Sequence, residues 1–89
     1  MKVEFLPAAD RELRAAAVYY ERRIRGLERV CALLSDRSAL GSRLDALHRR
    51  IPLRRFPFAL IYRVDAEALR IVAVADRRRR PGYWDKRVD

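Results

Sequence analysis

Two apolar runs separated by a short polar turn dominate the C-terminal half of the chain. The first run extends from Phe58 to Val64 and the second from Leu69 to Ala75, with residues 65–67 between them. Successive side chains of a β-strand point to opposite faces of a sheet, and in both runs the residues of either face are mostly apolar. Strands with two apolar faces lie inside a sheet, so the pattern predicts a β-hairpin of two central strands.

The N-terminal half begins with a strand pattern and continues with helical patterns. Val3 and Phe5 alternate with polar neighbours, which predicts a short half-buried strand. Apolar residues then recur at helical spacing in two stripes, formed by Leu13, Ala17, Tyr20 and Ile24 and by Leu27, Val30, Cys31 and Leu34. The stripes predict one helix from Ala8 to about Ile24 and a second from Leu27 to about Asp36, with Gly26 ending the first helix.

The segment between the helices and the central hairpin completes the predicted order. Residues from Arg37 to Leu47 allow two interpretations, a further helical turn or a loop that places leucine side chains over the core. Ile51 and Leu53 alternate with their neighbours, and Pro52 indicates an edge or irregular strand. The resulting order, β-α-α-β-β-β, predicts the α+β class: a helical hairpin packed on a small antiparallel sheet. A chain of 89 residues makes a single domain that covers residues 1–89.

The chain is strongly basic, and nearly all of its positive charge comes from arginine. It carries 21 Lys and Arg residues against 12 Asp and Glu residues, a formal net charge of +9, and only Lys2 and Lys86 are lysines. This balance favours a polyanionic partner such as nucleic acid, an anionic membrane or an acidic protein. Part of the arginine content is also what a GC-rich genome would produce.

The cysteine content and the apolar pattern predict a cytoplasmic protein with no membrane partner. Cys31 is the single cysteine and cannot form an internal disulfide, as expected in a reducing compartment. The alternating N-terminus does not match a signal peptide, and the longest apolar runs are too short to span a bilayer.

The sequence contains no motif for a metal, a cofactor or an activated nucleophile, so we predict neither a metal site nor a cofactor. His48 and Cys31 are the only histidine and cysteine, and zinc sites need a cluster of such ligands. We expect His48 to be a solvated residue at the start of a strand and Cys31 to be a small core residue. Glu4, Glu12 and Glu21 are predicted to lie on separate solvated faces, which gives no support to a site of paired carboxylates.

Arginine and aromatic side chains remain as the candidates for function. Guanidinium groups bind phosphates in a bidentate manner, and aromatic rings stack on bases. Strand ends and the adjoining tail would place these groups along one rim of the sheet. We predict that this rim binds a partner through Arg54, Arg55, Arg63, Arg77, Arg78, Arg79, Arg80, Tyr83 and Trp84. A lone tryptophan near a C-terminus often closes a core, and this structural role is the interpretation we favour for Trp84.

Two segments of the C-terminal half, LRRFPFALIYRV and LRIVAVADRRRRPGYW, resemble the RelE/ParE superfamily of toxins from bacterial type II toxin–antitoxin operons. The opening strand and first helix, from Val3 to Glu21, are also similar to that family. The resemblance implies a helical hairpin on a small antiparallel sheet, which agrees with the order predicted from the pattern. It also implies one of two activities: RelE-like members cut mRNA on the ribosome, whereas ParE-like members poison DNA gyrase.

The resemblance also implies which residues a nuclease would use. The RelE-like site takes an arginine on the first strand of the central hairpin, a basic residue or histidine near the end of the last strand, and a tyrosine in the tail. Arg77 and Tyr83 match the last two, and with Arg79 they are the catalytic candidates for cleavage by the 2′-hydroxyl. Ala59 stands at the position of the missing arginine, and Asp76 stands where close relatives often carry histidine. These departures and the FPF…IYRV sequence favour the ParE branch.

We therefore predict a non-enzymatic, ParE-like toxin that inhibits growth by acting on DNA gyrase, contributes to plasmid stabilisation, and is neutralised by a cognate antitoxin in a heteromeric complex. Two alternatives stay open: a ribosome-dependent mRNA endonuclease, and a degenerate relative that binds nucleic acid or protein without toxicity. The segment between Glu21 and Cys31 is shorter than is usual in the family. This implies a truncated second helix and either altered antitoxin binding or lost toxicity.

Overall fold

A computed structural model of the chain describes residues 1–19, 24–53, 57–76 and 78–87. Within these ranges it contains two helices, α1 (Pro7–Tyr19) and α2 (Ile24–Asp36). The strands in the same ranges are β1 (Lys2–Phe5), β2 (Ser42–Arg43), β3 (His48–Pro52), β4 (Phe58–Val64) and β5 (Ala68–Asp76). The predicted α+β class is confirmed, with β2 as an additional strand.

The strands form one sheet in the order β1-β5-β4-β3-β2. Strands β4 and β5 lie inside it, so the predicted central hairpin is confirmed. The sheet is mixed and not antiparallel, because β1 pairs with β5 in parallel, with Val3 opposite Leu69 and Phe5 opposite Ile71. The prediction of an antiparallel sheet was wrong because β2 adds one reversal of chain direction. Strands β2 to β5 are successively antiparallel, and since β2 runs opposite to β1, β5 becomes parallel to β1.

The segment between α2 and β3 forms neither a further helical turn nor a cover of leucines over the core. Its two-residue strand β2 pairs with the middle of β3. The leucines of this segment stay on the surface, with exposed fractions of 44% for Leu40, 44% for Leu44 and 70% for Leu47. Pro52 ends β3, beyond its pairing with β2, in agreement with the expected irregular strand.

Gly26 does not separate the two helices as the sequence pattern predicted. Helix α1 begins with Pro7, where a missing N–H costs no helical hydrogen bond, and it ends at Tyr19. Gly26, which was predicted to end the first helix, lies inside α2. A glycine inside a helix costs about 1 kcal/mol relative to alanine. Burial of the α2 residues Leu27 and Leu34 offsets that cost, so helix α2 continues through the glycine.

The helices and the hairpin share one hydrophobic core. Leu60 and Leu69 are completely buried in the hairpin, and Ala9 of α1 and Leu34 of α2 belong to the same cluster. Cys31 packs against this cluster and is half-buried, as expected of a core residue, and burial raises the pKa of its thiol. The stripe of α2 is therefore confirmed, because Leu27, Val30, Cys31 and Leu34 all belong to the core cluster or pack against it. Of the first stripe, Leu13 packs against the cluster, and the side chains of Ala17, Tyr20 and Ile24 lie outside the described part of the chain.

Tyr62 fixes the loop that follows α2. Its hydroxyl donates to the carbonyl oxygen of Ser38 and accepts the backbone N–H of Gly41, each over 2.8 Å. A Cβ at Gly41 would lie 2.8 Å from the Tyr62 hydroxyl, so the close approach requires glycine. This contact anchors the loop that leads into β2.

The C-terminal segment, residues 78–87, packs on the face of the sheet that carries Ala59 and Ile61. Trp84 is 7% exposed and lines a cleft together with Ala59 and Ile61 of β4. Its ring lies 4.8 Å from the ring of His48, centroid to centroid. The interpretation of Trp84 as a residue that closes the core is confirmed. The expectation that His48 is solvated was wrong, because Trp84 covers it and leaves it 6% exposed.

Candidate functional site

A turn after β5 directs the C-terminal segment back over the sheet. The backbone N–H of Arg79 donates to the carbonyl of Asp76 over 3.1 Å, and that of Asp85 donates to the carbonyl of Gly82 over 3.0 Å. Gly82 has a φ of 80°, in the left-handed region that L-residues rarely adopt. Glycine at this position therefore lets the segment change direction between the arginine run and Trp84.

One carboxylate on α1 gathers the C-terminal segment. Glu12 accepts hydrogen bonds from the Tyr83 hydroxyl at 2.6 Å, from Arg79 Nη1 at 3.1 Å, and from the two terminal nitrogens of Arg87 at 2.7 and 3.2 Å. It also accepts the backbone N–H of Val74 over 3.1 Å. We call these five residues the Glu12 cluster. The Glu12 side chain is only 13% exposed and that of Arg87 only 19%, so the ion pair between them is largely removed from water.

The Glu12 cluster also provides hydrogen-bond partners for backbone groups at an edge of the sheet. Strand β1 pairs with β5 only as far as Ile71, so the next backbone groups of β5 have no neighbouring strand on that side in the described part of the chain. Arg87 Nη1 donates to the carbonyl of Val72 over 3.0 Å, and Glu12 accepts the N–H of Val74. Backbone polar groups that lose water need such partners. The two side chains therefore take the place of a strand.

The prediction that Glu12 lies on a solvated face was wrong. Glu12 follows Ala9 by three positions and precedes Ala16 by four, so it lies beside the apolar stripe of α1 and next to the sheet. This spacing was the available signal. The sequence did not indicate that Arg87 pairs with Glu12, because this contact depends on how the C-terminal segment folds back.

Tyr83 is held as a neutral hydrogen-bond donor within the Glu12 cluster. Burial raises its pKa to about 12, and the hydrogen bond to Glu12 and the charge of Glu12 add to this effect. The guanidinium of Arg79 lies 4.1 Å from the centre of the Tyr83 ring, and that of Arg87 lies 5.0 Å from it, as in cation–π contacts. A phenol that donates to a carboxylate and keeps its proton at neutral pH is poorly placed to accept another proton.

Asp76 forms a second, local ion pair. It accepts the backbone N–H of Arg78 over 2.9 Å and pairs with Arg78 Nη2 over 2.9 Å. These contacts with the Arg78 side chain and backbone hold the pKa of Asp76 below its usual value. Asp76 is therefore ionised at neutral pH, and its negative charge would repel a phosphate at the end of β5.

The remaining predicted partner-binding residues are in three situations. Arg54, Arg55 and Arg77 lie outside the described residues. Arg63 donates from Nη1 to the carbonyl of Arg87 over 3.0 Å and so helps to hold the end of the C-terminal segment. Arg80 is exposed, and its side chain has no ion pair within the described ranges. The structure thus brings together Arg79 and Tyr83 around Glu12, with Arg78 beside them on Asp76.

His48, whose ring contacts Trp84, has a carboxylate partner of its own. Its Nδ1 lies 3.0 Å from a carboxylate oxygen of Asp45, and its Nε2 is buried with no hydrogen-bond partner in the described structure. Among the described residues there is no group of three or more histidine, cysteine, aspartate or glutamate side chains that could hold a metal ion. Neither of the described helices has the length and apolar content needed to cross a bilayer.

Comparison with known proteins gives consistent results. A family model described as the ParE toxin of the type II toxin–antitoxin system parDE matches residues 3–81. A solved structure from the chromosomal ParDE toxin–antitoxin system of P. aeruginosa has a similar fold, with a TM-score of 0.62 and 16% sequence identity. That alignment covers 85% of this chain and 95% of the other chain. The search of curated proteins found no match.

Proposed function

Because this chain belongs to the ParE toxin family of type II toxin–antitoxin systems, we propose that it stops growth by acting on DNA gyrase in the cytoplasm and that a cognate antitoxin neutralises it. The observation that carries the proposal is the family match, which runs from β1 to the start of the C-terminal segment. The resemblance of the central hairpin to the ParE branch supports the choice of gyrase as the target.

The geometry of the site disfavours the alternative, an mRNA endonuclease. Such an enzyme would need Tyr83 to move a proton, yet Tyr83 donates to Glu12 and has a pKa of about 12. It would also need a positive or proton-shuttling group where Asp76 forms its ion pair with Arg78. Ala59, at the position of the expected arginine, is 3% exposed and offers no charge.

Controlled expression in bacteria tests the target. Induction without antitoxin should arrest growth, induce the SOS response and produce gyrase-dependent DNA breaks, and purified protein should inhibit supercoiling by gyrase. Leu60→Asp is the matched control, because a charge at this fully buried position of β4 prevents folding. Growth arrest with intact DNA and cleaved transcripts would overturn the gyrase proposal in favour of the nuclease. Normal growth with abundant, folded protein would point to a relative without toxicity.

The antitoxin partnership is tested separately. A small reading frame next to the gene, with a DNA-binding motif and an acidic tail, is the expected antitoxin, because the net charge of +9 favours an acidic partner. Co-expression should restore growth, and the two proteins should purify together. Growth arrest that persists although both proteins are made would exclude that reading frame as the antitoxin.

A further inference from the structure

A cleft of about 310 Å³ lies between the C-terminal segment and the face of the sheet that Trp84 covers. Its floor is apolar and consists of Ala59 and Ile61 of β4 with Trp84. Small side chains make room here, and the volume is enough for one bulky apolar side chain of a ligand. The cleft adjoins the Glu12 cluster, because Arg79 and Tyr83 belong to the cluster and also line the cleft, whereas Glu12 and Arg87 do not line it.

Two arginines without a carboxylate partner stand at this cleft. Arg50 lies on β3 directly opposite Ile61, and Arg80 follows the turn after β5. Neither side chain has an ion pair in the described ranges, whereas neighbouring Arg79 pairs with Glu12 and Arg78 pairs with Asp76. An arginine with a free guanidinium beside an apolar floor is suited to a carboxylate that approaches together with an apolar group.

The rim also carries exposed apolar surface. Leu44, which borders the cleft, is 44% exposed, and Leu47 in the same loop is 70% exposed. An exposed apolar side chain at the edge of an apolar cleft adds surface that a protein ligand can cover. Leu44 would extend the contact area of a ligand that already fills the cleft.

We propose that this cleft binds an acidic peptide segment of a partner protein, with one bulky apolar side chain on the floor and flanking carboxylates on Arg50 and Arg80. A protein segment fits better than a nucleic acid, because the recessed apolar floor suits a bulky apolar side chain, which a peptide carries and a nucleic acid does not. The adjoining arginines Arg78 and Arg79 are already bound to carboxylates. The proposal concerns binding chemistry and does not depend on gyrase being the target.

Trp84 provides a direct measurement, because it is the only tryptophan of the chain and lines the cleft. The probe is a short peptide in which aspartate and glutamate residues flank a single central phenylalanine. Its titration into the full chain should change the Trp84 emission in a saturable way. Replacing the phenylalanine by serine should weaken binding by about tenfold, since the apolar anchor is then lost.

Paired charge variants test the site itself. Arg50→Gln with Arg80→Gln should weaken peptide binding by about tenfold or more, because each removes a charge-assisted hydrogen bond. Arg11→Gln with Arg29→Gln changes the net charge equally at exposed helix positions and should alter the affinity by less than about twofold. Circular dichroism would establish that all four substitutions leave the fold intact.

Three results would overturn the proposal. The first is an unchanged Trp84 emission at saturating peptide. The second is equal weakening by the two pairs of variants, which would mean non-specific attraction to a basic protein. The third is tighter binding of a single-stranded oligonucleotide than of the peptide with the same change in emission, which would assign the cleft to nucleic acid.

Discussion

The Glu12 cluster and the cleft lined by Trp84 adjoin at Arg79 and Tyr83, yet the two regions use arginine in opposite ways. In the cluster, Arg79 and Arg87 hold a buried carboxylate and fix the backbone. At the cleft, Arg50 and Arg80 have no carboxylate within the described ranges and are available to a partner. A run of like charges therefore divides into structural and binding residues according to which acids reach it.

Glu12 determines which of these arginines have a carboxylate partner, although it lies far from them in the sequence. It lies on α1, far along the chain from Arg79 and Arg87, and it forms an ion pair with each of them. Burial raises the pKa of Tyr83 and the same carboxylate adds to that shift, and Glu12 also completes the hydrogen bonding at the edge of β5. The cluster thus connects the first helix to the C-terminal segment, whereas Arg50 and Arg80 at the cleft have no ion pair within the described ranges.

The largest effect is expected from removing the centre of the cluster. Glu12→Ala should lower the free energy of unfolding by about 2–3 kcal/mol, because it leaves the largely buried guanidinium of Arg87 without a carboxylate and the N–H of Val74 without a partner. Urea unfolding followed by circular dichroism measures this change. The C-terminal segment should also become more susceptible to proteolysis in native buffer.

Asp10 offers a matched control on the same helix. It pairs with Arg14 one turn away, but both side chains are exposed, at 42% and 80%. Asp10→Ala should therefore cost less than about 1 kcal/mol. Similar losses of stability for Asp10→Ala and Glu12→Ala would mean that the cluster contributes no more than a surface ion pair. The arginines of the cluster would then not differ in structural role from those at the cleft.

The hydroxyl of Tyr83 should contribute less than the carboxylate that accepts its hydrogen bond. Tyr83→Phe should lower the stability at neutral pH by about 1–2 kcal/mol, the range for a hydrogen bond to a charged group. The pKa of Tyr83 is raised from 10.0 to about 12, so the stability that it supplies is complete below pH 10 and is lost as the pH rises towards 12. Phenylalanine does not titrate and should lack this alkaline loss.

Ultraviolet difference titration separates Tyr83 from the other tyrosines. The spectrum of the native protein minus that of Tyr83→Phe should contain one phenol that ionises near pH 12. A difference spectrum that titrates near pH 10 would contradict the arrangement around Glu12. It would also restore Tyr83 as a candidate for proton transfer and favour the nuclease alternative.

The ion pair at the end of β5 should give a change of about 1 kcal/mol. Asp76→Asn removes the charge that Arg78 holds while keeping an acceptor for the backbone N–H. Because the pKa of Asp76 is lowered from 3.8, its contribution is complete above pH 3.8 and is lost as the pH falls through the lowered value. The difference between the native protein and Asp76→Asn should therefore shrink at acidic pH. A difference independent of pH would assign the effect to the backbone contact.

The fold was predictable where local pattern and packing agree. The apolar runs of the hairpin identified β4 and β5, and the resemblance of the same residues to a toxin family pointed to the same architecture. The parallel pairing of β1 was missed because strand direction depends on the short strand β2, and two residues carry no readable periodicity. Gly26 misled the prediction because packing of α2 outweighed its low helix propensity.

The site was predictable only in part, because charge pairing over long sequence separations leaves no local pattern. The sequence drew attention to Arg79 and Tyr83 but assigned Glu12 to a solvated face, although these three groups are in contact. Arg50 stood among several arginines of β3 and its surroundings without any sign that it differs from Arg49. The structure separates the two, since Arg49 donates to the carbonyl of Gly41 over 2.7 Å.

Adjacent arginines provide the finest test of the comparison. Arg79→Gln should cost about 0.5–1 kcal/mol of stability, because Arg79 is half exposed and Glu12 keeps Arg87 as a partner. Arg80→Gln should change the stability by less than about 0.5 kcal/mol, as expected of a surface substitution away from any ion pair. Thermal unfolding of both variants under identical salt measures the difference. Since the two substitutions remove the same charge one residue apart, equal effects would show that pairing with Glu12 does not distinguish these arginines. A larger loss of stability for Arg80→Gln than for Arg79→Gln would mean that Arg80 stabilises the fold and is not available to bind a partner at the cleft.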